Sequence, residues 1–417
     1  MVKQGYKQTE VGTIPVDWQV STMESITSLM TNGFVGTIKS EYVPSGTGVL
    51  YLQGFNIKEN GFDLTGVTYV SDSFHKKHLK SELKENDLLT VQTGDIGVTS
   101  CLPKRFEGAN CQALIISRFY DKYDSRFWSY YFNSIGRKTL KLIETGTTMK
   151  HINVGDMKGI LVPVPKTKDE QKRIAETLSD VDSMISTLEK LIAKKKAVKR
   201  GAMQELLTGK KRLPGFTGSI EYKPLSSLCT LFADGDWIES KDQSNDGIRL
   251  IQTGNIGVGK YLDKTNKQRF ISTETFDRLK CLEIFENDVI VSRLPEPAGR
   301  ACILPYSNKR RITAVDCTII RFSDYNPKLF VAYSQTKQYQ DKVDMAMAGS
   351  TRQRISRKEL GEIPIPVFPT PKEQNAVASI FSDMDNEIEE LEQKLKKNRQ
   401  IKQGMMQQLL TGKIRLV

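Results

Sequence analysis

Apolar residues recur at alternating spacings of four and three residues in two long stretches of the chain. The first set is Ile174, Leu178, Val181, Ile185, Leu188 and Ile192, and the second is Val377, Phe381, Met384, Ile388, Leu391 and Leu395. Two apolar positions in every seven form the narrow stripe of a coiled coil, whereas a helix that lies on a domain has a wider apolar face. The pattern therefore predicts two long helices that pack along a shared seam.

Both predicted helices carry start and stop signals. These signals are Thr167 with Glu170 and Gly209 in the first helix, and Thr370 with Glu373 and Gly412 in the second. A threonine N-cap with glutamate three residues later is a capping box, and a glycine just past the last turn ends a helix in the left-handed conformation. We therefore expect helices over about 168–208 and 371–411, each roughly 60 Å long at 1.5 Å per residue.

The chain contains an internal repeat. Residues 146–213 recur without a gap as residues 349–416, at an offset of 203 residues from Gly146 to Gly349. Before each predicted helix, short β-branched runs alternate with clusters of Gly, Asn and Asp, which is typical of strands and turns. Helices are also expected at 126–143 and 327–346. The repeat predicts one architecture built twice.

The relative direction of the long helices follows from the order of the segments. The first helix leaves the first domain and the second helix starts at the second domain, so a second helix that pairs with the first must run back. Acidic residues dominate the first half of each helix and basic residues the second half. Antiparallel packing sets opposite charges against each other, although each helix macrodipole alone would favour the same distribution.

The predicted fold class is α+β. It has two mixed α/β domains in a pseudo-twofold repeat, separated by two long antiparallel helices that form a coiled coil. The predicted segments are a first domain over 1–166, a first spacer helix over 167–210, a second domain over 211–369 and a second spacer helix over 370–417.

The two domain regions diverge more than the helices, but matching landmarks remain. Segment 85–89 matches 286–290, segment 52–57 resembles 251–256, and Arg118 matches Arg321. Helices kept alike beside domains that differ are what recognition of two unlike half-sites needs. Segments 92–98 and 252–258 also look alike, but they occupy different places in the repeat. We interpret their likeness as shared turn chemistry rather than as a common site.

Composition narrows the class of partner. The formal net charge is +12, and such a basic excess favours a polyanionic partner. No apolar run approaches a membrane helix, and the N-terminus lacks the apolar stretch of a signal peptide. The six cysteines are scattered without a CxxC pair, which predicts a reducing, cytoplasmic environment, and Cys101 and Cys302 are interpreted as small buried apolar residues.

Motifs for catalysis are missing from the sequence. His75 and His78 have metal-ligand spacing but stand in a lysine-rich stretch without companion ligands, so no metal site is predicted. There is no GxxxxGK[ST] phosphate loop and no [Asp/Asn]-Pro-Pro-aromatic tetrapeptide of the kind that amino-methyltransferases carry. We expect a chain that is not an enzyme and holds no cofactor.

Candidate DNA contacts are basic, hydroxyl and amide side chains on loops. The loops that precede each repeat block come first, with Thr147, Thr148, Lys150 and His151 in one copy and Ser350, Thr351, Arg352, Gln353 and Arg354 in the other. Second choices are Lys104, Arg105, Lys309, Arg310 and Arg311. Hydroxyls suit phosphate oxygens, while Arg and Gln can reach guanine and adenine edges. The alternative interpretation of each loop is a solvated basic surface.

The sequence resembles the specificity (S) subunits of type I restriction-modification systems. The resemblance rests on the doubled Pro-x-Pro…Glu-Gln…Met-Gln-x-Leu-Leu-Thr-Gly-Lys blocks at 163–210 and 364–413, the Gly-[Thr/Ser]-Thr loop before each, and the opening Tyr6–Trp18. It covers nearly the whole chain.

The resemblance implies a prokaryotic, cytoplasmic and nucleoid-associated protein. Each domain would read one half of a split double-stranded DNA sequence, and the helices would set the gap and dock two modification (methyltransferase) subunits. It further implies that S-adenosylmethionine, ATP and Mg act in the modification and the restriction/translocase partners rather than in this chain. Leu191, Met203, Leu206 and Leu207 are expected to offer partner surface or to thicken the seam.

Two other functions stay open from the sequence alone. One is a self-contained DNA methyltransferase with an unrecognised active site. The other is a non-specific coiled-coil scaffold whose basic charge is incidental.

Overall fold

The computed structural model describes residues 4–146, 150–347 and 354–416. The chain forms two compact units: the first is Met1–Glu189 with Lys394–Val417, and the second is Lys190–Gln393. Both unit boundaries fall inside the long helices. Each unit therefore combines one globular domain with a part of each long helix.

The first unit is a mixed α+β domain. Its strands are β1 Tyr6–Thr9, β2 Gly12–Pro15, β3 Gln19–Thr22, β4 Thr27–Asn32, β5 Tyr42–Val43, β6 Val49–Leu52, β7 Ile57–Lys58, β8 Gly61–Phe62, β9 Thr68–Val70, β10 Leu88–Val91, β11 Thr99–Cys101, β12 Asn110–Cys111, β13 Leu114–Phe119 and β14 Leu161–Val164. Its helices are α1 Met23–Ile26, α2 Asp72–Lys77, α3 Ser125–Phe132, α4 Arg137–Leu142, α5 Val154–Gly159 and the first part of α6 Lys168–Leu206. One sheet has the order β4-β13-β10-β11, and another has the order β5-β9-β6-β12 with β6 and β12 parallel.

The second unit repeats this topology. Its strands are β15 Glu221–Pro224, β16 Cys229–Asp234, β17 Gln243–Ser244, β18 Ile248–Ile251, β19 Arg269–Ile271, β20 Val289–Ser292, β21 Ala301–Ile303, β22 Arg311–Thr313, β23 Cys317–Phe322 and β24 Pro364–Val367. Its helices are α7 Thr273–Leu279, α8 Pro327–Tyr333, α9 Lys337–Met347, α10 Arg357–Glu362 and the first part of α11 Pro371–Leu409. The sheet orders β16-β23-β20-β21 and β17-β19-β18-β22 correspond strand for strand to those of the first unit.

The two predicted domain helices are each interrupted. The 126–143 segment forms α3 and α4, and the 327–346 segment forms α8 and α9. The break in the first unit holds Gly136, where an added Cβ would lie 2.6 Å from the Tyr131 ring. One continuous helix was therefore wrong, because the chain has to turn closely against the aromatic side chains of α3.

The long helices begin and end close to the predicted positions. Thr167 Oγ1 accepts a hydrogen bond from the Glu170 amide, and Thr370 Oγ1 from the Glu373 amide, both at 3.2 Å. Gly209 has φ +75°, and Gly412, which follows the end of α11, has φ +67°, the left-handed values expected of terminating glycines. The hydroxyl half of each capping box is thus confirmed, while the Glu170 carboxylate binds Trp18 and Arg415.

Ion pairs show that the helices are antiparallel within each unit. In the first unit Asp182 pairs with Lys402 at 2.5 Å and Glu189 with Arg399 at 2.7 Å. In the second unit the pairs are Lys195–Glu387, Lys196–Glu392 and Lys199–Asp385, at 2.5–2.6 Å. Partners on α11 fall to lower numbers as α6 advances, so the predicted direction is confirmed.

The predicted seam is buried or half-buried along both helices. By contrast, the expectation that Met203, Leu206 and Leu207 offer partner surface was wrong. All three are buried in the core of the second unit, beside Val377 and Phe381 of α11. The last turn of α6 therefore anchors the helix in the domain that follows it.

No helix in the described part of the chain is both long enough and apolar enough to cross a membrane.

Candidate nucleic-acid interface

Loops of the first unit meet at the C-terminal ends of β6, β10 and β12. The Gln112 amide donates to the Leu52 carbonyl at 2.9 Å, and the Gln92 amide donates to Ala113 at 3.3 Å. The Ile152 amide donates to the Gln92 carbonyl at 3.2 Å. These backbone bonds bring the segment after residues 146–151 beside the loop that follows β10.

Two adjoining clefts open between these loops, and together we call them the first groove. One cleft of about 500 Å³ is lined by Gln53, Gly54, Phe55, Thr93, Gly94, Asp95, Gln112 and Ala113. The other, of about 580 Å³, shares Thr93, Gly94 and Asp95 and adds Ile96, Arg137, Glu144 and Lys150. At the shared wall Gly94 has φ +84°, and a Cβ added there would have no atom within 4 Å. The wall therefore leaves room for a ligand to approach the backbone.

The first groove presents amide and carboxylate side chains. Gln53 Nε2 donates to the Tyr42 hydroxyl at 3.0 Å, and Gln112 Nε2 donates to the Gly36 carbonyl at 2.6 Å. These bonds orient the two amides, while Asp95 is exposed. Gln side chains pair with adenine and carboxylates accept from cytosine in the major groove. The lining is therefore suited to reading base edges.

The second unit has the same loop framework. The Ala314 amide donates to the Ile251 carbonyl at 3.0 Å, and the Ile355 amide donates to the Arg293 carbonyl at 3.2 Å. These bonds place Ala314 where the first unit has Gln112. The backbone of the framework is thus kept while the side chains change.

Arg300 organises the loop over residues 293–299 in the second unit. Its guanidinium donates to the carbonyl oxygens of Thr253, Ile256, Leu294, Pro295 and Pro297 at 2.7–3.0 Å. Burial lowers the pKa of Arg300, and the carbonyl dipoles compensate the desolvated charge. The sequence does not predict this role for Arg300, since one arginine among many gives no sign that it will bind carbonyl groups.

The loops that precede each repeat block are only partly described. Thr147, Thr148, Ser350, Thr351, Arg352 and Gln353 lie outside the described residues. Backbone bonds of 2.9 Å in both directions join Thr145 to His151, which closes the base of the first loop. Lys150 is exposed and lines the first groove, 3.5 Å from Glu144. Arg354 donates to Asp316 at 3.1 Å.

The second-choice contacts lie elsewhere. Lys104 and Arg105 are exposed on a turn after β11, at the other end of the β10–β11 hairpin from the first groove. Lys309 is exposed over the Phe270 ring, and Arg310 is bound to Glu283 at 2.8 and 3.0 Å. Arg311 is only 5% exposed, within β22. Its placement on a loop was wrong, because Arg311 belongs to β22 and its side chain is buried.

The loop over residues 92–98 takes a larger part than the sequence indicated. It forms the wall shared by both clefts of the first groove. Its look-alike at 252–258 occupies a different place, because Gln252 corresponds to Gln53. The backbone amide of each glutamine donates to the side-chain oxygen of the asparagine three residues later, Asn56 or Asn255, at 3.0 Å. The predicted non-equivalence is correct, but both segments border the loop frameworks.

The histidine and cysteine side chains are held by ordinary packing. His75 lies 3.7 Å from Glu82, and His78 packs against Phe34 and Phe74. Among the residues that the structure describes, no group of three or more His, Cys, Asp or Glu side chains could hold a metal ion. Burial raises the pKa of Cys302 to about 12, as expected of a thiol in an apolar core.

Known proteins resemble the chain along its whole length. The family described as "Type I restriction modification DNA specificity domain" matches twice, at residues 15–200 and 219–403. The putative type I restriction enzyme MjaX specificity subunit of Methanocaldococcus jannaschii is 23% identical over 99% of this chain and 97% of its own. The type I restriction enzyme MjaVIII specificity subunit of the same organism has the same identity and coverage.

Solved structures share the fold. The S subunit of a type I restriction-modification system from M. genitalium superposes with a TM-score of 0.62 at 16% identity, covering 94% of this chain and 96% of its own. A chain from a study of complex assembly and conformational transition of the type I R-M system has a TM-score of 0.56 at 13% identity, covering 96% of this chain and 99% of its own. With the family domain present twice, the chain belongs to the type I restriction-modification specificity subunits, which recognise DNA and leave catalysis to other subunits.

Proposed function

We propose that this chain recognises a bipartite DNA target, with one half-site read by each unit. The observation that carries the proposal is a loop framework present in both units with different side chains. Gln112, which lines the first groove, corresponds to Ala314 in the second unit, and the buried Gln92 corresponds to the buried Arg293. One backbone with two linings supports two readers that bind DNA in the same manner but select different bases.

The long helices set the gap between the half-sites in this proposal. Each has 39 residues, and at about 1.5 Å per residue it spans roughly 58 Å. At about 3.4 Å per base pair that length caps the separation near 17 pairs. Ion pairs along both helices support a spacer that resists bending.

The chain directs other subunits to the DNA. Two modification subunits that use S-adenosylmethionine would methylate the target, and restriction subunits would supply ATP- and Mg-dependent translocation and cleavage. Val198 on α6 and Ile401 on α11 support a repeated docking face. They are equivalent in the repeat, and both are exposed, by 52% and 44%. We propose that each receives one modification subunit.

The test is to map methylated adenines in a genome that expresses this chain with its modification partner. We expect two short specified tracts separated by a gap of fixed length and indifferent sequence. A single continuous tract would contradict the proposal. Binding of S-adenosylmethionine by the purified chain would favour a self-contained methyltransferase, and DNA binding that salt does not weaken would favour a scaffold.

Docking is tested by substituting the two exposed apolar residues. Val198→Glu and Ile401→Glu together should abolish capture of the modification subunit, because each buries a charge in an apolar contact. Each single variant should retain one copy, which mass measurement of the complex can count. Lys397→Glu, at an exposed position on α11, is the matched control. Two copies on the double variant would exclude this face.

A further inference from the structure

Two buried arginines lie side by side in the second unit. Arg249 on β18 is in parallel register with Arg311 on β22, and on its other side Arg249 is in register with Phe270 on β19. Residues in register on neighbouring strands point to the same face of a sheet. Arg249 is 6% exposed and Arg311 5%. One face of the sheet therefore holds two guanidinium groups beside an aromatic ring.

Neither guanidinium has a closely bound carboxylate within the described part of the chain. Arg249 Nη1 donates to the Arg269 carbonyl at 3.3 Å, but Nη2 is buried without a hydrogen-bond partner. Asp263 stays 4.0 Å from Nη2, and its side chain is 55% exposed. A buried cation without a hydrogen-bonded counter-charge is unfavourable, so such a group commonly accompanies an anion.

Arg311 is in a similar position. The acidic groups that influence it are Tyr261, Asp288 and Glu286, and Asp288 is already held by Arg321 through two hydrogen bonds. Burial lowers the pKa of Arg311, although an arginine stays charged under all ordinary conditions. Burial therefore outweighs the attraction of the three acidic groups on Arg311.

The first unit shows that the fold does not need these charges. The pair Leu250 and Ile312 corresponds to Tyr51 and Asn110, since both join β-strands that are equivalent in the two units. One residue earlier on each strand, Arg249 and Arg311 therefore correspond to Leu50 and Ala109. Leu50 packs against the apolar core, and Ala109 belongs to that core.

The residues around the two arginines are also more polar than their counterparts in the first unit. Asn56 in the first unit and Asn255 in the second each donate to a carbonyl seven residues later, at 2.9 Å. This equivalence aligns Tyr261 with Phe62 and places Asp263 where the first unit has an apolar leucine. An apolar cluster in one unit is thus a polar, cationic cluster in the other.

We propose that Arg249 and Arg311 together bind a phosphate group. Guanidinium donors match the oxygens of a phosphate in pairs, and two neighbouring ones can surround a single anion. Lys309 Nζ lies 5.4 Å from the Phe270 ring centroid, and Arg249 Cζ lies 5.6 Å from the same centroid, so a third, exposed cation stands near the pair. The anion would displace the exposed Asp263 carboxylate. Either the DNA backbone or a free phosphate can supply this group, and only the first source rests on the proposed function.

The first experiment replaces both arginines by the residues that the first unit uses, Arg249→Leu with Arg311→Ala. The fold accommodates these residues in its other copy, so the variant should fold. Lys337→Ala, an exposed lysine paired with Asp341, is the control for loss of charge. The variants are compared with the unaltered chain by thermal melting in sodium phosphate and in sodium chloride of equal ionic strength, and by DNA binding of the assembled complex across salt concentrations.

Each source of phosphate has its own signature. A free phosphate raises the melting temperature of the unaltered chain and of Lys337→Ala more than that of the double variant. If the site binds a DNA phosphate instead, phosphate raises the melting temperature of all three proteins equally. The double variant then lowers the slope of log affinity against log salt by about 0.9 per lost contact. The slope is measured on DNA of arbitrary sequence as well, so it remains informative if the bipartite proposal fails. Identical behaviour of all three proteins in both assays would overturn the site.

Asp263→Asn separates the phosphate site from a loose internal ion pair. If the aspartate competes with phosphate, its removal should tighten phosphate or DNA binding by about threefold or more, since a nearby like charge is removed. If Asp263 is simply the partner of Arg249, the variant should lose stability and gain no affinity. That second result would refute the proposal even if the double variant failed to fold.

Discussion

Arg118 donates two parallel hydrogen bonds of 2.7 Å to Asp87, from Nε and Nη2 to the two carboxylate oxygens. The Asp87 carboxylate is fully buried and also accepts the Lys84 amide at 2.7 Å. Arg321 holds Asp288 in the same way in the second unit, at 2.8 and 2.7 Å. The pair joins the turn before β10 to the middle strand β13, and it fixes the hairpin that carries the loop at 92–98.

Removing the arginine should destabilise the first unit strongly. Arg118→Leu leaves the buried Asp87 carboxylate uncompensated, and we expect a loss of about 3–5 kcal/mol in the free energy of unfolding. Arg137→Leu is the control, because its partner Glu59 is 59% exposed and such pairs contribute about 0–1 kcal/mol. Urea denaturation followed by fluorescence measures both. Equal effects would show that burial of Asp87 does not matter.

Reversing one charge between the helices should be rescued by reversing its partner. Lys199→Glu sets like charges against Asp385 and should destabilise the second unit, whereas Lys199→Glu with Asp385→Lys should recover most of the loss. Because Asp385 is 57% exposed, the coupling should be about 1 kcal/mol and should weaken with salt. A double-mutant cycle on melting curves gives the value, and no coupling would contradict the antiparallel contact.

Lengthening both helices should lengthen the gap in the DNA target. Seven residues added to α6 and seven at the matching point of α11 preserve the seam and add about 10 Å, or roughly three base pairs. Methylation mapping with the partner subunit reads the gap directly. Insertion in α6 alone is the control, since it breaks the pairing and should abolish activity. An unchanged gap after the double insertion would disprove the spacer role.

Gln112→Ala should relax only one half of the target. If this amide reads a base in the first groove, its loss should weaken discrimination at one position by about 1–3 kcal/mol and leave the other half-site untouched. Ala314→Gln is the reciprocal change at the equivalent place of the second unit. Competition binding against single-base variants of the target distinguishes the halves. Uniform weakening at every position would indicate a backbone contact.

Acid should remove the contribution of Asp17 to the stability of the folded protein. The hydrogen bond from Arg415 is the main reason that the pKa of this carboxyl lies below its usual value. A lowered folded-state pKa stabilises the protein above the ordinary aspartate pKa of about 3.9, and this stabilisation disappears as the pH falls through the folded value. Asp17→Asn should therefore be less stable than the parent near pH 7 and equal to it in strong acid. A constant difference across pH would assign the effect to packing.

The regular part of the fold could be predicted because its signals are local. The heptad pattern predicted both long helices, and Gly209 and Gly412 predicted their C-terminal ends to within three residues. Their direction followed from the order of the segments. Segment 85–89 and Arg118 match the second copy separately in the sequence. In the structure Asp87 of that segment pairs with Arg118, a contact that a comparison of sequences cannot show.

The irregular parts depended on contacts between distant residues. Nothing local shows that Arg300 will gather five carbonyl groups, or that Arg311 will turn inward while Arg310 stays outside. Likewise, Met203 and Leu207 continue the apolar pattern of α6, and only the tertiary structure shows that a domain covers them. Pattern alone cannot separate a surface that a partner protein covers from one that the same chain covers.

The division of the chain into Met1–Glu189 with Lys394–Val417, around Lys190–Gln393, has a consequence for synthesis. Leu409 and Leu410 are buried in the core of the first unit, and Arg415 binds Glu170 and Asp17 there. The ribosome therefore completes the sequence of the second unit before it completes that of the first. A premature stop codon between the codons for Gln393 and Leu409 would therefore truncate the first unit and leave all residues of the second unit in place.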